Sequence, residues 1–208
     1  MYSFMDVRIP LWILFHTYLP LTIHGTENIP TEGPFVFCSN HAADLDPIVL
    51  GYSSFHRAVG FMAKEELFKI PVFGMLIRHW GAFPVKRNQW DEAAIQAFAD
   101  HVRKNKPLVL FPEGTRTLNG ELLTPKKGVG KLLHMSHVPV IPVYIEGTFQ
   151  SWPKGRMFPR PHRISAHIGR QVPLEDLYAL PEEKETYRLI VGRVMEHIAS
   201  LRPSSQPA

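Results

Sequence analysis

Cysteine is nearly absent from this 208-residue chain: Cys38 is the only one. No disulfide framework can form within it, which suits a reducing compartment. Cys38 lies inside an apolar run, Pro34-Phe35-Val36-Phe37-Cys38, and fits a small buried hydrophobe better than a nucleophile. Long hydrophobic runs are also missing. The most apolar stretch, Ile9 to Phe15 with Tyr18, Leu19 and Leu21 beyond it, is bracketed by Pro10 and Pro20. It falls well short of the roughly 20 residues that a bilayer span needs. Its basic flank is thin and no small-residue cleavage site follows, so a secretory signal does not fit.

Other signatures are missing too. There is no Walker loop, dinucleotide fingerprint or Gly-x-Ser-x-Gly elbow. The 11 histidines are scattered, and none forms a recognisable metal spacing with a neighbouring carboxylate, so no metal ligand is assigned. No basic stripe interleaved with aromatics, helix–turn–helix or zinc finger points to nucleic acid.

What is present suits one globular domain with a sizeable core: 45% hydrophobic and 20% charged residues, with no linker that would divide the chain. The net charge of +4 and pI near 9.2 fit an acidic ligand or an anionic membrane surface. For the N-terminal segment, residues 1–22, two readings stand. It is either a monotopic membrane contact through Trp12, Phe15 and Tyr18, which its aromatic content favours, or a helix packed on the domain. Residues 23–202 form the expected domain and 203–208 a frayed polar tail.

Apolar runs alternate with helical patterns. Strands are expected over Leu21–Gly25, 34–38, 59–63, 81–87, 108–111, 138–145 and 163–168. Helices are expected over 48–56, 91–104, 126–135 and 183–201, the last through Leu189, Ile190, Val194, Ile198 and Leu201. The run from Leu67 to Ile77 is expected to be core or the wall of an apolar pocket. Pro139 and Pro142 predict irregular pairing in the strand that contains them. The alternation implies an α/β fold: a central mixed, mostly parallel sheet flanked by helices. Polar clusters follow three of the strands, at 39–46, 86–87 and 112–117, and converge if those strands are neighbours.

The first cluster, Ser39-Asn40-His41-Ala42-Ala43-Asp44-Leu45-Asp46-Pro47, pairs a histidine with carboxylates. On one continuous helix, residues 41 and 46 would stand about 140° apart and could not meet. They can meet if His41 occupies the turn and Asp46 starts the helix. Pro47 favours this, because it suits the first helical turn and disfavours helix at the residue before it. A carboxylate-held imidazole can take a proton from a hydroxyl. Spacing alone leaves Asp44 open as the partner, and leaves open a plain N-cap at Asp46. Arg87, Arg116, Lys126 and Lys127 are candidates for anion binding, Gly114 would allow close backbone approach, and Glu113 stands among the cations.

These motifs strongly resemble those of the glycerolipid acyltransferase family, which includes bacterial 1-acyl-sn-glycerol-3-phosphate acyltransferases. The resemblance rests on Asn40-His41-x4-Asp46 and Phe111-Pro112-Glu113-Gly114-Thr115-Arg116, with Gly81–Arg87 and Val138–Val143 agreeing in order. It implies that His41 is the general base and that Asp46, rather than Asp44, orients it. It implies that Glu113, Gly114 and Arg116 position a glycerol phosphate with Arg87, joined by Asn40 and Thr115 of the same motifs and by Lys64 and Lys127. It further implies an acyl-CoA or acyl-acyl carrier protein co-substrate with no other cofactor, a lysophosphatidic acid acceptor, and a peripheral or monotopic place on the cytoplasmic face of the cell membrane. Thr117 stands where the family often has serine. The competing readings are an acyltransferase for another lysolipid or glycerol 3-phosphate, a hydrolase, and a membrane phospholipid-binding protein without turnover.

Overall fold

Seven short apolar runs pair into one sheet in the computed structural model, which describes residues 5–54, 57, 59–71, 73–79, 81–85 and 92–203. The strands are β1 Leu21–His24, β2 Val36–Ser39, β3 Gly60–Lys64, β4 Ala82–Val85, β5 Leu108–Leu110, β6 Val140–Glu146 and β7 Ile164–Ile168. Their order is β1-β7-β6-β2-β5-β3-β4. All neighbouring pairs are parallel except β6 with β7. Five strands therefore share one direction, and β7 and β1 run against them.

The central strands β2, β5 and β6 are apolar except at their last residues, Ser39 and Glu146, because both faces of the sheet are covered. Along β2 the side chains alternate. Val36 and Cys38 join one core cluster, which includes Leu132, Leu133, Ile190 and Val194. Phe37, with Phe35 just before the strand, joins the other, with Leu45, Val49 and Leu50. The helices are α1 Met5–Ile13, α2 Asp46–Ser53, α3 Phe73–His79, α4 Glu92–Arg103, α5 Lys127–Ser136, α6 Thr148–Ser151, α7 Glu175–Tyr178 and α8 Lys184–Ser200. Cys38 is fully buried, and burial pushes its thiol well above the usual range, so it acts as core.

Three expectations change. First, β6 pairs in regular register on both sides despite its proline, with Cys38 opposite Pro142 and Val143 opposite Ile168. Pro139 precedes the strand and lends its carbonyl to Val36 N at 2.8 Å. Pro142 sits where the β7 ladder ends, and its carbonyl accepts from Gly169 N at 2.9 Å. A Cβ on Gly169 would come within 2.9 Å of the Pro142 ring, so the glycine makes the room.

Second, α8 turns the expected stripe inward but without Leu189. Tyr187 and Val191 are buried with Ile190, Val194 and Ile198, while Leu189 is 47% exposed. Third, only part of 67–77 is core: Phe68 and Ile77 pack with Ala82, whereas Ile70 and Met75 face solvent.

The N-terminal segment packs on the domain along one side and leaves apolar side chains exposed along the other. Phe15 and Leu19 are buried in the α2-side core, while Ile9, Trp12, Ile13 and Tyr18 are exposed. Among the described residues, no helix is long and apolar enough to cross a membrane.

Candidate active site

The sheet's direction decides where the polar clusters meet. β2 lies between β5 and β6, parallel to both, so the residues after β2 and β5 emerge side by side at the carboxyl edge. The helix after β2 starts at Asp46, with Pro47 next, leaving His41 on the turn before it. His41 Nδ1 then stands 2.9 Å from Asp46 Oδ2. The same oxygen accepts from Ala42 N at 2.6 Å and Ala43 N at 2.8 Å. Asp46 is fully buried, and the imidazole is 17% exposed. With three donors on one oxygen, the carboxylate holds both the turn and the ring, and Nε2 is left as the nitrogen that can exchange a proton with a ligand. Phe111 stacks on the imidazole, centroids 4.0 Å apart and planes 16° from parallel. Sequence reasoning placed Phe111 in the β5 run; its place immediately before Pro112-Glu113 was the available signal.

Glu113 lies beneath the turn, 1% exposed. Its Oε1 accepts from His41 N and its Oε2 from Leu123 N, each at 2.9 Å. Thr117 N donates to His41 O at 2.9 Å, so the main chain of His41 is held on both sides by the β5 loop. Burial raises the Glu113 carboxyl above its ordinary value, against the two backbone donors and the nearby His41, which lower it. In this geometry Glu113 braces residue 41; it does not present an oxygen to a ligand, and Arg116 is not its partner.

Asn40 is also turned inward, at 7% exposure. Its Nδ2 donates to Ile145 O at 2.9 Å and its Oδ1 accepts from Ile145 N at 2.7 Å. The amide thus extends the β2–β6 pairing one residue past the strand. Asp44, the rival carboxylate, is engaged instead by Arg116, accepting from its Nη1 at 2.5 Å. Arg116 is 23% exposed and Asp44 61%.

Gly114 turns the loop with φ +68°, a left-handed conformation that glycine adopts freely. A Cβ there would meet the Lys126 side chain at 3.1 Å. Thr115 is partly exposed, and Lys127 is exposed at the start of α5. Thr117 is buried, and its hydroxyl accepts from Gly120 N at 3.2 Å, so the hydroxyl rather than the extra methyl shapes this turn.

Two clusters thus converge, 39–46 and 111–117. The third, with Lys86 and Arg87, lies outside the described residues, as does the end of the polar tail. The strand before that cluster in sequence, β4, is three strands from β2, roughly 14 Å at ordinary spacing. Lys64 closes β3, two strands from β2. Among the described residues, no three His, Cys, Asp or Glu side chains gather into a metal site.

The model of the family described as Acyltransferase matches residues 20–146. A 1-acyl-sn-glycerol-3-phosphate acyltransferase from Limnanthes douglasii is 35% identical over 151 residues, 71% of this chain and 52% of that protein. One from Borreliella burgdorferi is 29% identical over 188 residues, 89% of this chain and 72% of that protein. The chain spans about half the length of the plant relatives it matches. The crystal structure of the 1-acyl-sn-glycerophosphate (LPA) acyltransferase PlsC from Thermotoga maritima superposes with TM-score 0.73 at 26% identity, covering 100% of this chain and 86% of that one. The family model spans both halves of the site, the turn with His41 and Asp46 and the loop from Phe111 to Thr117, and the chain belongs to the Acyltransferase family.

Proposed function

We propose that this protein transfers a fatty acyl group from an acyl thioester to the sn-2 hydroxyl of 1-acyl-sn-glycerol 3-phosphate, making phosphatidic acid. The observation that carries the proposal is the His41 imidazole held through Nδ1 by buried Asp46 at the sheet's carboxyl edge. The names of the relatives support the choice of acceptor.

His41 Nε2 takes the acceptor hydroxyl's proton as the oxygen attacks the thioester carbonyl. The new C–O bond forms, the tetrahedral intermediate collapses, and the C–S bond breaks. The imidazolium then returns its proton to the departing thiolate. Asp46 stabilises the imidazolium and fixes the tautomer. The N–H groups of Ala42 and Ala43 are engaged by Asp46, so the oxyanion donors lie elsewhere. Arg116 and Lys127 attract the acceptor phosphate, with Lys64 and Arg87 as further cations from β3 and the segment after β4. Gly114 and Thr115 shape the loop beside it, and Asn40 and Glu113 hold the turn. The chemistry needs no metal or cofactor beyond the acyl-CoA or acyl-acyl carrier protein co-substrate. Residues 23–202 form the catalytic unit in this reading. Residues 1–22 rest the protein on the cytoplasmic face of the membrane through exposed Ile9, Trp12, Ile13 and Tyr18.

The test is release of free thiol from long-chain acyl-CoA and from acyl-acyl carrier protein, with products identified by mass. The acceptors are lysophosphatidic acid, other lysolipids, glycerol 3-phosphate and water alone. Phosphatidic acid formed only with lysophosphatidic acid is the expected result. Preference for another acceptor would overturn the substrate, and free fatty acid as the main product would make the protein a hydrolase.

A further inference from the structure

The loop between α6 and β7 displays two large apolar side chains in water. Met157 is 78% exposed and Phe158 71%. The loop is braced around them. Trp152 Nε1 donates to Arg156 O at 2.9 Å, Arg156 Nε to Phe158 O at 3.1 Å, and Arg160 Nε to Gln150 O at 2.6 Å. Ser151 and Arg160 close its base, Arg160 N to Ser151 O at 3.0 Å and Ser151 Oγ to Arg160 O at 2.9 Å. Hydrogen bonds that order a loop act against the tendency of apolar tips to fold back onto the protein.

Topology fixes which way the loop faces. β6 ends at Glu146 and β7 begins at Ile164, antiparallel to it, so residues 147–163 leave and return at the carboxyl edge where His41 stands. β1 starts from that same edge, because Leu21 is the register partner of Ile164. The end of the N-terminal segment is therefore beside the loop, and Tyr18 Oη donates to Pro159 O at 3.1 Å. Charge points to the occupant. Residues 147–163 contain Lys154, Arg156, Arg160 and Arg163 and no carboxylate, and residues 7–26 contain none either.

We propose that the Met157–Phe158 loop is a second membrane contact, which seats its apolar tip among the acyl chains of an anionic phospholipid bilayer with its cations at the headgroups. This rests on the reading of residues 1–22 as a membrane contact and extends it to a distant part of the chain. Two contacts beside one edge of the sheet set the tilt of the protein on the bilayer and keep the His41 site facing the lipid acceptor. One contact alone leaves rotation about it free.

The experiment is sedimentation of the full chain with vesicles of phosphatidylcholine alone and of phosphatidylcholine mixed with phosphatidylglycerol. Met157→Ser with Phe158→Ser is expected to lower partitioning onto the anionic vesicles about tenfold, from the apolar area kept in water. Lys154→Gln with Arg163→Gln is expected to weaken binding to anionic vesicles and leave neutral ones nearly unaffected. Ile9→Ser with Trp12→Ser separates the two contacts. Each variant alters exposed positions, and each is expected to melt like wild type. Phe158→Trp adds a second readout, extra fluorescence quenched by brominated lipid. If only the N-terminal variant loses binding, the loop assignment is overturned and the N-terminal contact stands. If wild type binds neither vesicle, both are overturned. If the tip variant changes only the protein's own association state, the occupant is a second copy of the chain and the lipid assignment is wrong.

Discussion

His41 is held by its main chain as much as by its ring. Glu113 takes the N–H of residue 41 on one oxygen and that of Leu123 on the other, so both oxygens face donors. Glu113→Gln keeps size and shape but turns an NH2 group toward one of those N–H donors. The expected loss is about 1–3 kcal/mol of stability, measured by urea unfolding. A brace should lower kcat more than it raises KM for the phosphate acceptor, whereas a phosphate-positioning residue should do the reverse. That His41 can meet a carboxylate at position 46 was legible because Pro47 marks where the helix begins. Spacing alone left Asp44 open as well; the family resemblance favoured Asp46, and the direction of the turn sends Asp44 to Arg116. The bracing roles of Glu113 and Asn40 were hidden for a different reason. Their partners are backbone amides and carbonyls distant in sequence, and these have no residue type to read.

At the level of elements, close approach of α5 and α8 is set by one glycine. A Cβ on Gly130 would lie 2.0 Å from the Tyr187 carbonyl oxygen, part of the α8 backbone. Gly130→Ala must push the two helices apart, and the expected cost is about 3 kcal/mol or more, read from thermal or denaturant unfolding. The edge pair β1–β7 carries a pH dependence. His24 and His167 are register partners whose rings stack 4.7 Å apart. Burial, then His24, lowers the His167 pKa below 6.5, and Glu146 opposes them. The neutral ring is the form the fold prefers, so its contribution is full above pH 6.5 and declines as pH falls toward the lowered value. The stability difference between wild type and His167→Gln should therefore shrink from pH 7 to pH 5, with the His167 NMR titration midpoint below 6.5. A midpoint above 6.5 would contradict this. Element positions were largely legible from apolar runs and turn residues. Regular pairing of β6 was not, because it depends on β7 ending beside Pro142 and on Gly169 leaving space for the ring. Leu189 was misjudged because its apolar type was read as core, although at 100° per residue it lies about 200° from Tyr187, on the face of α8 opposite the buried stripe.

On the scale of the whole molecule, one reversal organises the protein. The five parallel strands gather His41, Asp46, Glu113 and Arg116 at the carboxyl edge, and the opposed pair β7 and β1 brings the N-terminal segment and the 147–163 loop to that same edge. Strand order is poorly legible in sequence, since it is fixed by contacts between distant runs; the convergence of 39–46 with 112–117 could be stated only conditionally. Phe15 and Leu19 anchor the N-terminal segment in the core while Trp12 and Tyr18 stay exposed, which leaves an aromatic face open for the proposed membrane contact. The central claim is that His41 is the base in acyl transfer. The most direct measurement is the initial rate of phosphatidic acid formation from acyl-CoA and lysophosphatidic acid, for wild type and for His41→Ala of equal melting temperature. General-base catalysis by His41 predicts a fall of at least about a hundredfold. A variant that keeps most of the wild-type rate would contradict it.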